Sequence, residues 1–511
     1  MLRRTATTRC NNVNLRSVLA TPALFAEAAF INGQEVPIPA GAIGHSVKYT
    51  CTQETLGAVP NIDKAQVTGA INDAKQAFAV WSATTPVKRA KILSRWAELM
   101  TTHEADCAAI LSAESGKPYA EAMGEHNYSK GYVEWFAGEA ERIYGDVITL
   151  PRPGVRALVR KEPVGVVGVI TPWNFPSAMI TRAVAGALAA GCTVVLKPSE
   201  LTPFSAVTLA KLAAEAGVPA GAFSVVTGQS SEIGPVMTGS PIVRKLSFTG
   251  STAVGIKLYE QCAPTVKKMA LELGGNAPVI VCADAEIDIA IDGIVASKFR
   301  NAGQTCISAN RFFVPASIHD DFVARLVKRV EGLRVGNGGP ANLAGSDPAV
   351  TMGPLITVAA GQKVAASVAR AVEQGATVVC GGKHVEGRPQ NFYEPTVLTN
   401  VTNEMEITNC EIFGPVASIV KYADDDLDGV VAAANNVPAG LAAYVYTSDY
   451  RKQWRLSEAL EYGMVGVNEG AISAPSAPFG GVKGSGLGRD GSKYAMDQFL
   501  ETKYVLMGGK I

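Results

Sequence analysis

Cys306 stands in the run Asn301-Ala302-Gly303-Gln304-Thr305-Cys306-Ile307-Ser308-Ala309-Asn310-Arg311, and an apolar helical pattern from Ile287 to Phe299 precedes it. A thiol attacks carbon well only as thiolate, so its pKa must fall from about 8.5 or a base must take its proton. Gly303 lets the backbone approach closely, and small neighbours leave room for a substrate. A lone cysteine is often just a small buried hydrophobe, so its company decides. Upstream, Glu272 lies in Leu271-Glu272-Leu273-Gly274-Gly275-Asn276-Ala277-Pro278, after the apolar Met269-Ala270-Leu271. Desolvation there raises a carboxyl toward the range of a general base. Further back, Thr171-Pro172-Trp173-Asn174-Phe175-Pro176 follows the strand-like Val166-Val167-Gly168-Val169-Ile170. A Pro-bracketed turn at a strand end can hold the Asn174 amide where an oxyanion develops. Nucleophile, base and oxyanion donor together describe acyl chemistry at a carbonyl carbon.

The elements around these segments alternate. Short strands run from Phe30 to Val59, then Val67, Ile71, Ala74, Phe78 and Trp81 recur at helical spacing. One helix is expected from Val87 to about Ser115, another from about Ala120 to Ile143. Gly145 to Lys161 alternates and reads as a β-ribbon. A βαβ series follows: Val164-Ile170, a helix after Pro176, Thr193-Leu196, a helix from Ser205 to Gly217, Phe223-Val226 and Lys245-Phe248. Strands alternating with helices imply a parallel, doubly wound sheet that binds ligands at strand C-terminal ends. A second α/β unit begins after Glu272. It carries helices near 286, 320–335 and 355–374, and strands at 278–282, 312–314 and 376–379.

The three chemical segments resemble the aldehyde dehydrogenase superfamily from about Phe30 to the C-terminus. Phe299-Arg300-Asn301, Ala277-Pro278 and Gly486-Leu487-Gly488-Arg489 carry a closer resemblance to its succinate-semialdehyde branch. The resemblance implies an α/β fold of two doubly wound parallel-sheet domains, one Rossmann-like for the cofactor and one catalytic, plus a small β oligomerisation ribbon. The expected division is 27–144 with 163–274 for the cofactor, 275–474 for catalysis, and 145–162 with 490–511 for oligomerisation. It implies NAD-dependent oxidation of an aldehyde through Cys306, with Asn174 and the Cys306 amide holding the oxyanion and Glu272 activating water. Lys197 and Glu200 of Lys197-Pro198-Ser199-Glu200 are implied at the adenosine ribose. Glu411 and Phe413 are implied at the nicotinamide side. Trp173 and the loop Gly250-Ser251 to Gly255 flank the cofactor in place of the absent G-x-G-x-x-G. A carboxylate at 200 favours NAD over NADP, because it bonds a 2′-hydroxyl but repels a 2′-phosphate, although Lys197 and Ser199 leave NADP open. Arg182, Arg300 and Ser473 match the positions that bind the carboxylate of succinate semialdehyde, for which a guanidinium fork is suited. Another ω-carboxylated aldehyde, such as glutarate semialdehyde, is the alternative substrate. From other classes, the alternatives are a silent cofactor-binding partner protein and a cofactor-free thiol hydrolase. Some members of the family carry a second cysteine two positions after the nucleophile as a disulfide switch. Ser308 stands there, so that switch is not expected.

Composition bounds partners and place. The 511 residues include 46 basic and 46 acidic ones, which gives no electrostatic case for nucleic acid or a membrane surface. Nine scattered cysteines without a C-x-x-C pair argue against a disulfide framework and a structural zinc site. No 18-residue apolar run appears, so no membrane span is expected. Residues 1–26 hold Arg3, Arg4, Arg9 and Arg16 and no acid, the composition of a mitochondrial transit peptide. The matrix is the expected location, with the cytoplasm as the alternative. The expected partners are a small-molecule substrate and further copies of the chain, as a homodimer or homotetramer.

Overall fold

The computed structural model describes residues 13–508. Two sheets place the chemistry. The first runs in the order Gln34–Pro37, Ala28–Ile31, Phe223–Val225, Thr193–Lys197, Val166–Ile170, Val243–Thr249, Lys268–Glu272, Gly486–Leu487. The five strands from Phe223–Val225 to Lys268–Glu272 are mutually parallel. Their Val-rich runs are covered on both faces, as parallel strands flanked by helices must be. Helix Ala178–Ala190 is buried at every position and packs beneath this sheet with the N-terminal helices. The second sheet runs Thr377–Cys380, Thr396–Thr399, Val416–Tyr422, Ala309–Pro315, Ala277–Val281, Ala442–Tyr446, Met464–Val467. It is parallel except at its first pair, and it has its own core.

Register brings the catalytic segments level. Lys197 pairs with Ile170, Ile170 with Phe248, and Thr249 with Glu272. Four strands therefore end side by side, and the turns that leave them share one edge of the sheet.

Three expectations change. The single helix drawn from Val87 to Ser115 is two, Pro86–Thr102 and Glu104–Ser115, broken where His103 adopts φ −110°, ψ 22°. Helix Ser230–Gly239 was not expected, because Pro235 inside it reads as a breaker. The last strand, Leu500–Gly508, forms the edge of a three-stranded sheet. It lies antiparallel along the whole of Val155–Pro163 of the same chain, with Asp146–Ile148 beyond. The leader reading of residues 1–26 also needs correction. Leu15, Leu19, Leu24 and Phe25 are buried in the first core, the Asp106 carboxylate accepts from the Ala20 and Thr21 amides at 2.8 and 2.7 Å, and Thr208 donates to the Leu24 carbonyl. Removing 26 residues would take these side chains out of that core, so residues 13–26 belong to the fold. Arg3, Arg4 and Arg9 lie outside the described residues. Among those described, no helix is long and apolar enough to cross a membrane.

Candidate active site

A cavity of about 280 Å³ opens at the shared strand ends, and Cys306, Glu272 and Asn174 all line it. Each comes from a different turn. Asn174 follows Val166–Ile170, Glu272 ends Lys268–Glu272, and Cys306 sits just before Ala309–Pro315. The glycine pair after Glu272 has a steric reason: a Cβ on Gly275 would fall 2.2 Å from the Cys306 carbonyl oxygen. Before the cysteine, Asn301, Ala302 and Gly303 adopt φ of 51°, 53° and 74°. For the two non-glycine residues this left-handed backbone costs about 1–3 kcal/mol each and needs support. The Asn301 amide donates to the Glu121 carboxylate at 3.1 Å, and its side chain donates to the carbonyls of Asn174 at 2.9 Å and Gln304 at 3.2 Å. Gln304 returns a bond to the Asn301 carbonyl and accepts from the Ile356 amide. The nucleophile loop and the Asn174 turn are thus tied to each other.

Electrostatics assigns states. Burial pushes the Cys306 thiol up to about 12, against the partial offset of Arg182, so it rests neutral. Glu272 is buried, and its Oε2 has no hydrogen-bond partner. Burial and then the nearby Asp490 raise it well above the usual carboxylate range, with Arg182 and Arg489 opposing. A desolvated, unpaired carboxyl is what a general base requires. The Asn174 amide spends one N–H on the Gln304 carbonyl at 3.1 Å. An amide nitrogen carries two donors, so one remains for an oxyanion.

The residues expected at the cofactor divide between two places. Trp173, Gly250, Ser251, Glu411 and Phe413 line the same cavity as the cysteine. Trp173 and Phe413 meet edge-to-face at 5.5 Å. Burial raises Glu411 to about 7, and its carboxylate accepts from the Gly275 amide at 3.2 Å. Lys197, Pro198, Ser199, Glu200 and Gly255 are not among its lining residues. The Glu200 carboxylate takes Lys197 Nζ at 2.9 Å and the Ser230 amide and hydroxyl at 2.6 and 2.7 Å. Gly255 lies in the helix Thr252–Cys262, whose N-terminus follows Gly250-Ser251 and offers free amides to a phosphate. A Cβ on Gly255 would meet Leu273 at 2.4 Å, which holds that helix close to the base strand. Two aromatic rings lining the cavity, a helix N-terminus and a carboxylate–ammonium pair fit a dinucleotide.

The residues expected at the substrate divide too. Arg300 and Ser473 line the cavity. The Arg300 guanidinium lies 5.3 Å from the Phe175 ring centroid and makes no ion pair among the described residues. Arg182 does not line the cavity, contrary to the carboxylate-clamp expectation. It is buried, with Nε 2.8 Å from Asp490 Oδ2 and its guanidinium 4.4 Å over Phe479. A buried charge must be paired, and its partner sits about three hundred positions away, beyond the reach of a motif. Sequence reasoning also missed Tyr128 and Lys363, which line the cavity. Tyr128 lies 2.5 Å, oxygen to oxygen, from Tyr132. Its helix reads as scaffold by periodicity, so nothing marked it.

The aldehyde dehydrogenase family model matches residues 43–505. A 3-sulfolactaldehyde dehydrogenase of Pseudomonas putida is 49% identical over 492 residues, covering 96% of this chain and 99% of its own. The NADP(+) succinate-semialdehyde dehydrogenase of Escherichia coli (strain K12) is 49% identical over 485 residues, covering 95% and 98%. The crystal structure of succinate-semialdehyde dehydrogenase from Burkholderia pseudomallei superposes with a TM-score of 0.92 at 48% identity, covering 96% of this chain and 100% of that one. A thiol, an unpaired buried carboxyl and a spare amide donor around one cavity, in a chain matched along nearly its whole length, lead to one conclusion: it belongs to the aldehyde dehydrogenase family and is an NAD(P)-dependent enzyme.

Proposed function

We propose that the chain oxidises succinate semialdehyde to succinate with NAD, through a thiohemiacetal and a thioester on Cys306. The observation that carries the substrate is Arg300, an unpaired guanidinium lining the cysteine's cavity beside Ser473. Arg300 is exposed, and an unpaired guanidinium there is free to take a carboxylate at the far end of the aldehyde. The relatives whose names specify semialdehyde or sulfolactaldehyde substrates support an anionic aldehyde. The cofactor supplies the hydride acceptor when bound. The rest is done by side chains. The Cys306 sulfur attacks the aldehyde carbon, and its proton passes through a cavity carboxylate to solvent. The Asn174 amide and the Cys306 N–H hold the oxyanion, each such donor worth about 3–4 kcal/mol of barrier. After the thioester forms, Glu272 takes a proton from water as that water attacks. Acid is released and the thiol restored.

The preference for NAD rests on Glu200, already bonded by Lys197 and Ser230 and opposed to a second phosphate. Homodimer or homotetramer assembly is supported by exposed apolar side chains on the three-stranded sheet: Val147, Ile148, Leu506 and Met507. Light scattering tests it. Mitochondrial targeting is proposed for residues 1–12 alone, and N-terminal sequencing of the purified enzyme tests it. Glutarate semialdehyde is the second substrate reading. Comparing kcat/KM for succinate and glutarate semialdehydes, each with NAD and NADP, decides both questions.

A further inference from the structure

An ion pair that the reaction does not use grips the Asn174 turn. Lys117 lies between helices Glu104–Ser115 and Tyr119–Glu139, and Glu125 lies in the second of them. The two side chains pair directly, each 1% exposed. Lys117 Nζ also donates to the Asn174 carbonyl at 2.9 Å and sits 4.2 Å from the Phe175 ring centroid. The other Glu125 oxygen accepts from the Ser177 and Ala178 amides at 2.8 and 3.2 Å, at the start of helix Ala178–Ala190. The pair therefore holds the main chain at residue 174 and again at 177–178.

Stability alone is a poor reason for such a pair. Two buried charges lose their hydration, and apolar side chains of similar volume often serve as well or better. Position is a better reason. The Asn174 Oδ1 has no partner and its Nδ2 has one, so the amide's placement follows largely from its backbone. An oxyanion donor works only at hydrogen-bond distance from where charge develops, and a misplacement of about 1 Å costs about 100-fold in rate.

We infer that Lys117 and Glu125 are a positioning pair for the Asn174 amide. They set the main chain of the oxyanion turn rather than touching substrate. The inference rests on Asn174 being the oxyanion donor.

The test is a double-mutant cycle on the full-length enzyme with succinate semialdehyde and NAD. Lys117→Met with Glu125→Leu removes both charges together, so no unpaired charge is left to unfold the chain. The expected result is a folded enzyme with a cooperative thermal transition, KM for both substrates within about threefold, and kcat lower by about 100-fold. In an Asn174→Ala background the same pair of changes should lower kcat by less than about threefold further. Lys117→Gln with Glu125→Gln, which keeps a donor for the Asn174 carbonyl and an acceptor for the Ser177 and Ala178 amides without a buried charge, should recover most of the rate. Full loss repeated in the Asn174→Ala background, or kcat unchanged by the paired replacement, would overturn the inference. Asn174→Ala with wild-type kcat would instead remove the oxyanion assignment, and this inference with it.

Discussion

Arg182 Nε lies 2.8 Å from Asp490 Oδ2, with the arginine side chain 0% and the aspartate 6% exposed. This pair sits where both charges act on Glu272, and in opposite directions: Asp490 raises its pKa and Arg182 lowers it. Burial raises the Glu272 carboxyl most, and the balance between these two charges adjusts it further.

Asp490→Asn removes the larger of the two charges' effects and leaves Arg182 unopposed. Both changes stabilise the Glu272 carboxylate, so its pKa falls. The base acts deprotonated, and activity is lost as pH falls through that pKa. The acid limb of kcat should therefore move to lower pH. A pH–rate profile checks this, and an upward move would show that the pair does not tune Glu272.

Arg182→Ala should act mainly on stability. It leaves Asp490 buried without a partner, a loss of about 3–5 kcal/mol. Its effect on kcat/KM should be equal for succinate semialdehyde and butanal. Arg300→Ala should differ, with kcat/KM lower by about 10-fold or more for succinate semialdehyde and nearly unchanged for butanal. Steady-state assays and thermal melts of both variants separate the two roles. Selective loss in Arg182→Ala would return it to the substrate.

Much of the site was legible because its parts are local. A cysteine among small residues, a glutamate before two glycines and an asparagine between prolines each announce their chemistry within a few residues. Alternating strands and helices then bring their turns to one sheet edge. What stayed hidden depends on distant partners. Arg182 reads as a free fork until Asp490 is folded against it. Lys117 and Tyr128 read as ordinary helix-end and core residues until the 171–176 turn packs beside them. The break at His103 and the packing of Leu15 and Leu19 escaped for a related reason. Periodicity reports an apolar face but neither a one-residue kink nor which core takes a short basic segment.

Resting Cys306 should label slowly. With its thiol pushed up to about 12 by burial, the thiolate fraction grows about 10-fold per pH unit across the neutral and mildly alkaline range. Iodoacetamide inactivation of the cofactor-free enzyme should climb through pH 9 without levelling. A plateau near pH 8 would mean that the cavity stabilises the thiolate.

Glu200→Gln should weaken discrimination between cofactors. It removes the charge opposed to a 2′-phosphate and one side of the Lys197 pair. The ratio of kcat/KM for NAD to that for NADP should fall by about 10-fold or more. An unchanged ratio would place the selectivity elsewhere.

The most direct test of the whole account uses Glu272→Gln with NAD and succinate semialdehyde. If Cys306 forms a thioester that only the Glu272-activated water clears, the variant should release about one NADH per site in a burst and then stall. Mass spectrometry should find the succinyl group on the peptide carrying Cys306. Continued turnover at the wild-type rate, or an acyl group on another cysteine such as Cys262 or Cys410, would contradict it.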